Sequence, residues 1–415
     1  MAIQGLRTTA NFIVNQRPTN YREGIMLLYP NGKAPLTALS TMMKSDSTDD
    51  PRCGWFEKGL DNRRFELHAT TGDLTVSNTS LSLAASALGL TLKEGDLLRV
   101  EQTGEILLVV TDPSSNTGLT VQRGYAATTP ATVNANGAGI NPNLQLIGSV
   151  YEEGSNAPTG VSFDPVEKFT YTQIFRNTLE ATRTAAKTRL RTGDAVKEAK
   201  RECLEYHMID IERTAFFGVR HETVRKGKPL RLTDGIYNVV GREAAGNVVD
   251  AVADHATGVD MEAFEEYCYN MFQFGSDEKI MWVGNRSLLT INQIVRKNSS
   301  YQMVGGIKEY NMNVQRLITP FGELVMKRHR LFNQSRGGVT GGTAYYGQEA
   351  HAVVMDMDNV KYRNFSGDDT RYEADIQDKG VDGQQSGYLT ECAFEFHHPE
   401  THYIIKNLVK AKVDD

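Results

Sequence analysis

Imidazoles and carboxylates set close together are the first place to look for chemistry. His397, His398, Glu400 and His402 form the densest such group in this chain. Neutral imidazoles with a carboxylate can bind zinc. Pro399, however, sets a turn among them, and neighbours along a strand point to opposite faces. They read as polar residues at a strand end. Asp356 and Asp358 lie one strand period apart and so can face one side. Paired carboxylates there can hold a metal or share a proton, but a solvated strand end accounts for them equally well. His221-Glu222 is followed by Thr223-Val224-Arg225, without the second histidine of a zincin. The glycine-rich run GGVTGG at 337–342 lacks the Lys-Ser/Thr that grips phosphate and magnesium, and it reads as a loop. No G-x-S-x-G elbow occurs. Cys53, Cys203, Cys268 and Cys392 are too scattered for a zinc site or a disulfide scaffold, which points to folding in a reducing cytoplasm. The sequence therefore assigns no catalytic, cofactor-binding or metal-binding residue.

Charge gives two further features. Arg183, Lys187, Arg189 and Arg191 form a basic stretch that can meet phosphates or an acidic neighbour, or serve as a solvated connector. Lys197, Lys200 and Arg201 alternate with Glu198, Glu202 and Glu205, the mixed pattern of a solvated helix surface. The net charge of -6 argues against a chain wrapped in nucleic acid, while leaving room for a local basic patch. No apolar run approaches the ~18 residues that cross a bilayer, and the N-terminus MAIQGLRTTANF lacks the pattern of a signal peptide.

These groups must be positioned by a chain of 415 residues, long enough for roughly three domains. The hydrophobic share of 40% supplies a substantial core. Residues 1–50 read as an arm with two short anchors, Ile25–Tyr29 and Leu36–Met43, ending in the polar run KSDSTDDP. Cys53–Leu60 reads as a strand. Residues 61–160 are rich in Thr, Ser, Gly and Asn. They carry short β-type runs at Leu74–Val76, Leu97–Val100, Ile106–Val110, Leu119–Arg123 and Leu144–Val150, separated by turn clusters. This predicts a small antiparallel sheet or barrel with a thin core, in which LSLAASALGL (81–90) makes at most a helical turn.

Helix is expected after Asp164-Pro165: Tyr171–Thr182, then a long helix capped by Asp194 and ending near Gly218. Val196, Ala199, Cys203 and Tyr206 make one apolar stripe on it; Leu204, Met208, Ile211 and Ala215 make another. Two stripes predict packing on two sides. Val248–His255 carries little expected regular structure. A helix follows through Met261, Phe264, Cys268, Met271 and Phe272, stopped at Gly275. Then come strand Lys279–Val283, a helix from Arg286 to Arg296 capped by Asn285, and a hairpin of Met312–Thr319 with Glu323–Leu331. Ser335–Thr343 reads as a loop, and Ala352–Asp358, Tyr388–His397 and Tyr403–Val409 as strands. The pattern is α+β with an inserted all-β module.

The layout and several phrases resemble the major capsid proteins of tailed bacteriophages, in the branch with a long β-rich insertion. The phrases are IMLLYPNGKAPLTALSTMMKS (25–45), CGWFEKGL (53–60), GDLLRVEQTGEILLVV (95–110) with LTVQRGYAATTPA (119–131), GDAVKEAKRECLEYHMIDIERTAFFG (193–218), VQRLITPFGELVMKRHRLF (314–332) and YLTECAFEFHHPETHYIIKNL (388–408). The resemblance implies the Hong Kong 97-type fold. By position, 1–50 is the N-terminal arm and 51–160 the extended loop with an inserted small β-domain. Residues 161–244 become the peripheral domain with its spine helix, 245–350 the axial domain, and 351–415 the returning peripheral strands. It further implies no enzyme activity and no cofactor. On this resemblance the subunit is expected to self-assemble as hexamers and pentamers into an icosahedral head around packaged double-stranded DNA, which it would contact non-specifically. Portal, scaffold or decoration proteins are the other implied partners; no membrane is involved. The site of action is the virion, after synthesis in the bacterial cytoplasm. No residue pair is matched to the lysine–asparagine crosslink that some members make. An arm and a β-excursion with little core of their own fit the same picture, since identical partners joined head to tail close into rings or shells. The alternatives are an encapsulin-type nanocompartment shell and a metal-dependent hydrolase using 397–402 or Asp356 and Asp358.

Overall fold

The computed structural model describes residues 43–59, 63–68, 76–77, 79–84, 89–132, 143–188, 194–297, 303–309, 312–334, 338–340, 343–366 and 369–410. It divides into two compact units. One runs up to Trp55 and resumes at Glu167; the other is Phe56–Val166. The expected anchors of the arm, apart from Met43, lie outside the described residues, as does most of Leu74–Val76.

The unit Phe56–Val166 is built on a six-stranded antiparallel sheet. Its order is Arg64–Glu66, Asn143–Ser149, Asp96–Val100, Ile106–Val109, Gly118–Gln122 and Ser80–Ser82. Burial alternates along the strands, so that Leu98 and Val100, Leu107 and Val109, and Leu119 and Val121 point inward. Period-2 patterning of this kind gives each strand one apolar face. The unit therefore has a real core, which also takes in Phe65, Leu83, Leu92 and Leu144. This corrects the expectation of a thin one: alternation along the strands gathers twelve apolar residues on the inward face, although others such as Ile147 and Val150 stay exposed. LSLAASALGL also departs from expectation, since Leu81 and Ser82 belong to the strand Ser80–Ser82 and a short 3-10 turn forms only at Gly89–Thr91.

One charge pair sits inside this unit. Arg123 donates to both carboxylate oxygens of Glu105 at 2.7 Å, and the two side chains are almost fully buried. The backbone N–H groups of Gly124 and Ala131 also donate to Glu105, at 3.0 and 3.2 Å. Burial pushes the Glu105 carboxyl up. Arg123 and the two amides more than reverse this and hold it below the usual range. Arg123→Met is expected to cost about 3 to 5 kcal/mol, because Glu105 would stay buried without its cation. A urea titration showing an unchanged midpoint would refute it.

In the other unit, a five-stranded sheet is centred on Gly383–Phe396. That strand pairs antiparallel with Gln173–Thr182 on one side and Val360–Phe365 on the other, and Arg371–Glu373 also joins it. Lys44–Thr48 pairs in parallel with Val360–Phe365. The polar run after the expected anchors is thus an ordered edge strand, and Arg363 fastens it through Asp46 at 3.3 Å. Polarity does not prevent this, because an edge strand leaves side chains in water while its backbone pairs. Gln173–Thr182 corrects the helix expected at Tyr171–Thr182. Tyr171, Phe175 and Leu179 recur every four residues, a spacing that suits a helical turn and two strand periods alike.

The second sheet has seven strands, ordered Val248–Asp250, Tyr403–Lys406, Ala352–Met355, Glu278–Val283, Gly322–Arg328, Met312–Thr319 and Met303–Glu309. The expected hairpin is present, with Thr319 paired to Gly322. Met303–Glu309 was not foreseen; two glycines hide its strand pattern, and a register shift lies between Val304 and Ile307. Val248–His255, expected to be irregular, forms a short strand and a turn of helix capped by Asp250. Part of the expected loop 335–343 is also regular, as Gly338–Thr340 pairs with Thr343–Tyr345. Helices Met261–Met271 and Asn285–Lys297 bury Phe264, Met271, Ile291 and Ile294 against this sheet.

The helix Ala195–Phe217 has 23 residues, about 35 Å at 1.5 Å per residue. As expected, Asp194 caps it, accepting from the N–H groups of Val196 and Lys197. It lies on the five-stranded sheet. His207 bridges Asn177 Oδ1 at 2.9 Å and Thr390 Oγ1 at 2.7 Å, and Asn177 also donates to Asp210. The two-sided packing is observed only in the C-terminal half of the helix: Cys203, His207, Ile211 and Ala215 are buried along one stripe and Glu212 and Phe216 on a second side, while Leu204 is half-buried and Tyr206 exposed. Ile211→Ala is therefore expected to cost about 2 to 5 kcal/mol and Leu204→Ala clearly less. Equal melting shifts for the two variants would contradict this arrangement.

Candidate functional site

The residues singled out for chemistry converge on one end of the seven-stranded sheet, in a way that removes their reactivity. His402 is fully buried, and its Nδ1 accepts the backbone N–H of Asp356 at 3.2 Å. Burial pulls its pKa down to about 3. Asp356 is buried as well. Its carboxylate accepts from the N–H groups of Ser276 at 3.0 Å and Asp358 at 3.2 Å, and from Asn359 Nδ2 at 3.0 Å. The strand expected over Ala352–Asp358 ends at Met355, and Asp356 caps a 3-10 turn.

Asp358 faces solvent instead and pairs with Lys44 at 2.8 Å. The two carboxylates therefore do not share a face, because the chain turns between them. His398 is exposed and left-handed at φ 45, capping the turn Pro399–Thr401. His397 stacks on Trp55 at 5.1 Å and reaches Glu395 at 3.2 Å. The run 397–402 thus scatters its imidazoles to different surroundings. Among the described residues, no group of three or more His, Cys, Asp or Glu side chains could hold a metal ion. All four cysteines are free and buried. His221 and Glu222 lie on an exposed hairpin, where Glu222 pairs with Arg231 at 2.9 Å.

Sequence reading missed the residue at the centre of this cluster. Lys279 is fully buried, and its ammonium donates to the carbonyls of Met271, Phe274 and Thr401 at 2.6, 2.6 and 2.7 Å. Burial lowers its pKa to about 8. The available signal was a lone lysine in the apolar run Lys279–Val283. Gly275, at φ +91, completes the corner; a Cβ there would sit 2.7 Å from Asp356 Oδ2. The cluster ties three carbonyls, two loops and a turn to the sheet. It is a backbone fastening, and it makes His402 a buried structural residue rather than a polar residue at a strand end.

A second buried group joins the long helix to the seven-stranded sheet. Glu212 meets His329 Nε2 at 3.0 Å, and Lys327 lies over the Trp282 ring at 4.7 Å. Phe216 and Phe332 pack edge-on beside them, 5.0 Å apart. Tyr237 Oη and His351 Nδ1 share a hydrogen bond at 2.9 Å. Burial lowers His351 to about 4. Both clusters serve packing. The remaining features fit for function are surfaces: the hairpin His221–Leu232, whose two strands are largely exposed, and the outer face of helix Met261–Met271.

Comparison with known proteins gives the family of the chain. The family model described as SU10 major capsid protein matches residues 3–409. The major capsid protein of Pseudomonas phage PaMx41 is 28% identical over 401 residues, covering 94% of this chain and 92% of that one. Among solved structures, the capsid of an empty GTA particle has a TM-score of 0.49 at 7% identity, covering 97% of this chain and 99% of that chain. The holo-SrpI encapsulin complex from Synechococcus elongatus PCC 7942 has a TM-score of 0.47 at 6% identity, covering 99% of both chains. The class is thus a phage major capsid protein, the structural subunit of an icosahedral shell assembled from many copies and a component of the virion. The chain belongs to the SU10 major capsid protein family. Its fold is α+β, as expected from the sequence.

Proposed function

We propose that the shell built by this subunit consists of hexamers and pentamers and encloses packaged double-stranded DNA, touched without sequence preference on the inner face. The subunit is made in the bacterial cytoplasm and works with portal, scaffold or decoration proteins. It performs no catalysis. The observation that carries this last point is the fate of the candidate groups: His402, Asp356 and Lys279 are spent on backbone hydrogen bonds, and Asp358 stands apart on the surface. Electron microscopy of the purified protein tests the reading. Hollow particles with five- and six-fold units are expected; a monodisperse small oligomer in assembly-favouring buffer would end it.

In the same reading, 1–50 is the N-terminal arm, whose end at Lys44–Thr48 is an edge strand of the subunit's own sheet, 51–160 the extended loop with its β-domain, and 161–244 the peripheral domain. Residues 245–350 form the axial domain, and 351–415 return to the peripheral sheet. The six-stranded unit within Phe56–Val166 and the long helix support this division. Removing residues 1–40 is expected to preserve circular dichroism and abolish shell closure in sedimentation. Normal shells from the truncated chain would refute the arm's role.

A further inference from the structure

The hairpin His221–Leu232 touches its own subunit where its second strand runs beside Gln173–Thr182, and its residues 221–230 are otherwise exposed. It is a two-stranded sheet by itself, with residues 221–230 all exposed. Two isolated strands are marginal in water. Its two-residue turn is well made, with Lys226 at φ 51 and Gly227 at φ 74. Its closing pair is not: Arg225 stands directly opposite Lys228. Like charges across a strand pair destabilise it. Around them, Arg220, Arg225, Lys226, Lys228 and Arg231 face Glu222 as the one acid. Glu222 is taken by Arg231 and Arg220 lies over the Phe169 ring, so the tip cations find no carboxylate among the described residues. Register places Arg225, Lys228 and Leu230 on one face, and Leu230 is 42% exposed there.

The complement exists on the same chain. From Glu243 to Glu278 there is no lysine or arginine. Within this stretch, Glu262, Glu266 and Tyr269 follow at i, i+4 and i+7 on the outer face of helix Met261–Met271. Tyr269 is exposed and meets Phe321 edge-on at 5.8 Å. Two carboxylates beside an exposed aromatic pair match two cations beside an exposed leucine.

Resting on the shell reading above, we propose that the hairpin of one subunit docks on this helix face of a neighbouring copy, with Arg225 and Lys228 against Glu262 and Glu266 and Leu230 against Tyr269. The apolar component favours a protein partner over DNA, whose phosphates offer nothing to cover Leu230. Unlike patches on one molecule give a head-to-tail contact, the kind that closes rings.

The test uses the full chain. Arg225→Glu with Lys228→Glu is expected to reduce the rate of particle formation, followed by light scattering, at least ten-fold, with the melting curve unchanged. Glu262→Lys with Glu266→Lys should be equally defective, and the four changes combined should restore assembly. Independently, Arg225→Cys with Glu266→Cys should give disulfide-linked dimers in assembled particles under oxidation. Unimpaired assembly of both charge-reversed proteins, failure of the combination to restore it, or absence of the linked dimer overturns the proposal. Normal particles that retain less DNA also overturn it, in favour of DNA as the partner. If the unaltered chain forms no particles, the shell reading fails instead.

Discussion

Lys279→Met is expected to lose on the order of 5 kcal/mol, enough to leave most of the protein insoluble. The reason is arithmetic on the acceptors. Three buried carbonyls, of Met271, Phe274 and Thr401, receive their hydrogen bonds from one ammonium. Methionine fills the volume and donates nothing. Each orphaned buried acceptor costs about 1 to 3 kcal/mol, against a total stability of about 5 to 15 kcal/mol for a typical domain. Lys361→Met, on a strand with a half-exposed side chain, is the control and should be nearly neutral. Equal soluble yields and melting temperatures for the two variants would show that the Lys279 cluster is dispensable.

Acid should weaken the subunit steeply between pH 6.5 and 4. Burial lowers His402 to about 3 and His351 to about 4, both from an ordinary value of 6.5. In that window the unfolded chain takes up protons at these positions while the folded chain refuses them. Folding is therefore disfavoured as pH falls, and the stability is fully present above 6.5. Each histidine contributes about 1.4 kcal/mol per pH unit, so the pair removes on the order of 5 kcal/mol by pH 4. Urea midpoints measured from pH 7 to 4 check this. His351→Gln should flatten the profile, though it also removes the Tyr237 partner. A flat profile for the unaltered protein would exclude buried neutral histidines as its pH-sensitive groups.

Much of the fold was legible because local signals agreed with the final structure. The helix Ala195–Phe217 carried both a cap and a helical period, and the strands of the Phe56–Val166 unit alternated between turn clusters. Where one spacing served two periods, as at Tyr171, Phe175 and Leu179, the sequence alone could not choose; pairing with Gly383–Phe396 decided it. On the long helix, Tyr206 was misread as packed because periodicity reports apolar residues, not whether anything covers them. The polar cluster was legible only in part. His402 and Asp356 stood out as titratable groups, but their burial depends on the turn Pro399–Thr401 and on Lys279, which is distant from both in sequence. The docking surfaces were hidden for a related reason: a charge run reads as solvated until its neighbours are known.

The pairing of Lys44–Thr48 with Val360–Phe365 has a consequence for how the subunit is made. The strand leaves the ribosome early, and its partner is synthesised last but for the closing segments. At about 5 to 20 residues per second, the wait is on the order of 15 to 60 s. Throughout it the five-stranded sheet cannot close. The contiguous unit Phe56–Val166 has no such delay, since its strands pair within about a hundred residues. A nascent chain thus carries a finished β-domain while its edge-strand site is still unmade. The five-stranded sheet, and with it the complete subunit, therefore forms only after Val360–Phe365 and Gly383–Phe396 have been made.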